Sequence, residues 1–130
     1  MHLAKSSSTA MLDYVKRILT TQYEASLAML NQCIEACPLE HWEGIIAQST
    51  FRWVTYHTLF FTDLYLSPSN ELFVLRDLHK QGGDEREPEA ASGLSKDDAL
   101  AYVPLCRQKI YDSLGMETEQ SLAGPSGFFW

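Results

Sequence analysis

Apolar residues recur along most of this chain at three- and four-residue steps, the period of a helix that buries one side. From Thr9 to Cys37 the row runs through Leu12, Val15, Ile18, Leu19, Met29, Leu30, Cys33 and Ile34. Lys16, Arg17 and Glu24 are left for the wet side. Ser8 or Thr9 suits the start as a cap, and Pro38 forces the end. At about 1.5 Å per residue this predicts a helix roughly 40 Å long. Leu39 to Ala47, carrying His41 and Trp42, reads as a short helical turn stapled to the rest.

A second long helix starts near Ser49 or Thr50 and contains WVTYHTLFFTDLYL, Trp53 to Leu66. Ser67-Pro68-Ser69-Asn70 stops it, because proline cannot continue the ladder and Ser and Asn favour turns. A long connection follows, from Glu71 to about Leu94. Its centre, QGGDEREPE, is acidic with little to bury, so a flexible acidic crossover over residues 76–95 is expected. Ser95, three residues ahead of Asp98, predicts the cap of a third helix. That helix carries Leu100, Val103, Cys106, Ile110 and Leu114 and ends at Gly115. Pro104 marks an irregular first turn or a kink in it. The tail closes on Gly-Phe-Phe-Trp130, and neither a repeat nor a strand is evident.

Composition narrows the class. With 130 residues, 45% of them hydrophobic, the chain suits one globular domain spanning residues 1–130. Net charge is −7 and no basic stripe exists, which argues against nucleic acid and against an anionic membrane surface. No apolar run reaches the roughly 18 residues of a spanning helix, and the first residues lack a secretory pattern. Cys33, Cys37 and Cys106 form no disulfide framework, so reduced thiols in a cytoplasmic protein are expected.

The candidate chemistry centres on His57. Trp53, Val54, Phe61 and Leu64 share its helix face, so the imidazole is expected to point inward. Such a histidine is either a core residue satisfied by one hydrogen bond or one corner of a metal site. Asp63 falls on another face and reads as an exposed or helix-pairing carboxylate. Cys33 and Cys37 share a face at i, i+4 but read as core fillers, as does Cys106. Tyr56, Phe60, Phe61 and Tyr65 read as packing rather than a pocket lining. Neither a Ser-His-Asp order nor a phosphate-binding glycine loop is present.

The stretch WVTYHTLFFTDLYLS, from Trp53 to Ser67, resembles the second helix of the DinB-like family of bacterial helical bundles. The likeness extends to VKRILTTQYEASLAMLNQCIEACP, to LSKDDALAYVPLCRQKIYDSL and to SGFFW, in the right order over most of the chain. It implies an all-α four-helix bundle with a long crossover between helices 2 and 3. Many relatives hold a divalent metal with three histidines, one on the second helix and a His-x-x-x-His pair on the fourth. His57 matches the first; His2, His41 and His79 do not match the pair. The fourth helix is therefore expected to be truncated or lost, and no metal is expected in this chain as given. In the intact protein the resemblance implies Zn²⁺ or Ni²⁺ and a hydrolase or thiol transferase acting on a small substrate. The alternative is a non-catalytic bundle that works by association, with a homodimer expected because a missing helix exposes an apolar stripe.

Overall fold

A computed structural model describes residues 7–87 and 93–130. His2, the initial segment and residues 88–92 of the acidic crossover lie outside them. The described chain is mostly helical, as its apolar period requires. Long helices α1 (Ser7–Ala36), α2 (Phe51–Tyr65) and α4 (Lys96–Gly115) are joined by shorter pieces. These include a two-stranded hairpin of β1 (Ile45–Ile46) and β2 (Ser49–Thr50), helix α3 (His79–Gly82) and helix α5 (Glu119–Ala123). Among the described residues, no helix is long and apolar enough to cross a membrane.

The local signals set the helix starts. Thr50 accepts from the Trp53 amide at 3.0 Å and Ser95 from the Asp98 amide at 3.0 Å, satisfying donors that a first turn leaves open. Pro104 does not break α4, and its ring faces solvent. The hairpin corrects the expectation of a helical turn through Ala47. Only Leu39–His41 are helical there, as a 3-10 turn. The chain then reverses at Ala47, whose φ of 55° is a left-handed conformation that the helical period does not signal.

Helix α4 packs against both α1 and α2. Lys16, early in α1, donates to the Gly115 carbonyl ending α4, while Lys96, opening α4, donates to the Glu35 and Cys37 carbonyls at the end of α1. The two helices are thus antiparallel, and each lends a lysine to carbonyls at the other's C-terminal end. Helix α2 runs parallel to α4, since the Cys106 thiol meets the Leu59 carbonyl and Ser113 donates to that of Leu66. Parallel neighbours need a long return, which residues 66–95 provide.

The core lies between α2 and α4. Tyr56, Leu59, Phe60 and Leu64 are buried against Ala99, Tyr102, Cys106 and Ile110. The apolar row of α1 is only partly covered, with Leu27 and Ile34 buried but Ile18 and Met29 left 43% and 67% exposed. The described part of the crossover is fastened rather than loose in its contacts. Trp42 donates its indole N–H to the Leu94 carbonyl at 2.9 Å, Arg86 grips Asp84 and Asn70, and the Tyr56 hydroxyl donates to the Gly83 carbonyl. Gly82 lies so close to the Tyr56 ring that a Cβ there would overlap it.

Candidate functional site

Helix α2 presents two faces with opposite character. On the inner one, Asp63 is fully buried, so of its two expected places the exposed one is excluded, and it pairs α2 with Lys109 of α4. Its Oδ2 accepts from Arg76 Nε at 2.8 Å and from the Tyr102 hydroxyl at 2.7 Å. Its Oδ1 accepts from Arg76 Nη2 at 3.1 Å and from Lys109 Nζ at 2.7 Å. Lys109 also donates to the Asp63 carbonyl and to Ser67 Oγ, each at 2.6 Å. The carboxylate thereby uses the four acceptor positions it offers. Burial alone would raise its pKa, but the hydrogen bonds from Arg76, Lys109 and Tyr102 outweigh it and hold Asp63 below the usual carboxylate range.

His79 extends this cluster. Its Nδ1 accepts from the Arg76 amide at 2.8 Å, so the ring proton resides on Nε2, which lies 2.8 Å from the Tyr102 hydroxyl. Tyr102 accepts there and donates onward to Asp63. Burial pushes His79 down from 6.5 to about 4, keeping it neutral, so the 4.0 Å approach of His79 to Asp63 is not an ion pair at neutral pH. Tyr102 is raised by burial and by the Asp63 charge. The acceptor positions of Asp63, the donors of Lys109 and both nitrogens of His79 are therefore filled, and Asp63 has no vacant lone pair to act as a base. The arrangement clamps the crossover (Arg76, His79) to α2 and α4.

The outer face carries His57. Its ring lies between Trp53 and Phe61, with centroids 4.6 Å away on each side. The row continues from Phe61 to Tyr65 at 5.7 Å, to Phe128 at 5.0 Å and to Trp130 at 5.6 Å. Trp130 also donates its indole N–H to the Tyr65 hydroxyl at 2.6 Å. This face is only partly core. Leu64 is buried at its far end, but Trp53, Val54 and Tyr65 are 37%, 41% and 47% exposed, so of the neighbours expected to point inward with His57 only Leu64 is fully covered. His57 itself is half-buried, and its Nδ1 is out of water with no hydrogen-bond partner among the described residues. Burial lowers its pKa, so the imidazole is held toward the neutral form.

An uncommitted, neutral imidazole suits a metal, but one donor does not make a site. Among the described residues no group of three or more His, Cys, Asp or Glu stands where it can hold an ion. His41 is exposed and His79 is spent on Arg76 and Tyr102. Cys33 is exposed rather than a core filler, and Cys37 is partly buried. Cys106 fills the core as expected, and burial pushes its thiol up to about 12, far from a reactive thiolate. The described residues therefore do not by themselves fit a divalent metal.

Arg76, His79, Tyr102 and Lys109 escaped sequence reasoning because their partners lie 13 to 46 residues away. The one available signal was Asp63 itself, an acid set in an otherwise apolar helix, which calls for cations from elsewhere in the fold. No family model, curated protein or solved structure matches this chain.

Proposed function

We propose that this is a DinB-like helical bundle that works by association through the outer face of α2, with a second copy of the chain as its partner. The order of the long helices and the long return between α2 and α4 support the bundle reading. One observation carries the association: the aromatic row from Trp53 to Trp130 is exposed along much of its length and contains no charged side chain. Both charged residues of α2 are engaged elsewhere, Arg52 with Glu43 and Asp63 in the buried clamp. In a chain of net charge −7 this uncharged face lets two copies meet without like charges opposed at the contact, and a two-fold axis would bury the same row on each. Light scattering across a concentration series is expected to give a dimer, and Val54→Glu a monomer with unchanged circular dichroism. A wild-type monomer at every concentration would sink the proposal.

The unpartnered Nδ1 of His57 favours a second reading: a metal-dependent hydrolase or thiol transferase acting on a small substrate. His57 would supply one imidazole to Zn²⁺ or Ni²⁺, with the other donors coming from outside the described residues. A metal held this way lowers the pKa of a bound water or thiol. Metal analysis of purified protein and of His57→Ala decides the point, and equal metal content in the two would reject it.

A further inference from the structure

A cleft of about 730 Å³ opens where α1, α4, α5 and the crossover meet, within the range of small-molecule pockets, about 300–1,000 Å³. Its apolar walls come from Leu19, Leu66, Leu72, Leu75, Leu105 and Leu122. Leu72 is 64% exposed and Leu75 48%, more apolar surface than a crossover needs to show to water. Arg76 and Lys109 also line it.

The two cations share one buried carboxylate, Asp63, which leaves the inner cluster with one positive charge in excess. They differ in what they can still offer. Lys109 places its ammonium on three oxygens and has no donor left. Arg76 spends Nε and one N–H of Nη2 on Asp63, and its Nη1 donates to no described residue. Its side chain is 29% exposed. A guanidinium edge with spare donors, beside an apolar wall, fits a planar carboxylate. The acids that line the cleft are Asp112, exposed and accepting from Gln108, and Glu117, accepting from Ser121. Neither forms an ion pair with Arg76 or Lys109.

We infer that this cleft binds a single-chain amphiphile with a carboxylate head, the head on the free edge of Arg76 and the chain along the leucine wall. Calorimetric titration with decanoate, decanol and decyltrimethylammonium, below micelle-forming concentrations, tests it. Decanoate is expected to bind saturably at one site per chain, decanol at least tenfold more weakly, and the ammonium compound not at all. Arg76 also holds Asp63, so its removal risks unfolding. Leu105→Glu instead sets a negative charge into the cleft from an exposed position on α4, and it is expected to weaken decanoate at least tenfold with unchanged circular dichroism. Equal binding of the three compounds, no saturable binding, or full decanoate affinity in Leu105→Glu each overturns the inference.

Discussion

Asp63 and His57 sit on one helix, yet the fold treats their side chains in opposite ways. Asp63 is buried in a clamp where Arg76, Tyr102 and Lys109 fill its acceptor positions. His57 is stacked between two rings and has a buried nitrogen that bonds to none of the described residues. A charge withdrawn from water must be matched at once, so its neighbours are recruited and its chemistry is spent. A neutral imidazole beside a half-open aromatic row tolerates an unmet bond, and that makes it available. Within α2, the strongly ionic side is the structural one and the apolar side is the one left partly open to water.

The contrast is broken most severely by Asp63→Ala, which leaves two part-buried cations beside each other without their shared carboxylate. A loss of about 3–5 kcal/mol is expected in urea unfolding at pH 7. Acid probes the same clamp through His79. Because its folded pKa of about 4 lies below the ordinary 6.5, its neutral form adds no pH dependence above 6.5. As pH falls from 6.5 to 4 the unfolded chain takes up the proton first, and stability drops by on the order of 3 kcal/mol. Stability curves measured over that window should flatten in His79→Gln. The contribution of Asp63, whose pKa is held below 3.8, is retained through this window and is lost only in stronger acid.

Gly82→Ala tests how tightly the crossover is seated, because its Cβ would overlap the Tyr56 ring. Overpacking of this kind is worth about 1–3 kcal/mol, read as a lowered melting temperature. The smallest change in stability belongs to the outer face. Val54→Glu, compared with the parent chain at concentrations too low for the proposed dimer to form, should alter unfolding by no more than about 0.5 kcal/mol. A large loss of stability in that variant would mean that this side of α2 is core after all.

Much of the helical layout is legible in the sequence. The stops at Pro38 and Pro68 and the caps at Thr50 and Ser95 are local events, governed by backbone donors within one turn. The hairpin at Ala47 was not legible, since its left-handed residue is one that the sequence pattern would place in a helix. The face of α2 that turns inward was misread for a related reason. Trp53, Val54 and Phe61 are apolar enough for a core, but which of two apolar sides is covered depends on where α4 lies.

The sequence by itself determined the three long helices, the approximate ends of each, the long return between α2 and α4, and the acidic, mostly helical character of the chain. These follow from period, capping and composition, which act over a few residues. Only the tertiary structure decided that Asp63 is a buried hub, that His57 stands on an open aromatic row, and that Arg76 keeps a free edge in an apolar cleft. Each of those depends on groups brought together across 13 or more residues, where position is set by packing and charge pairing rather than by neighbours in sequence.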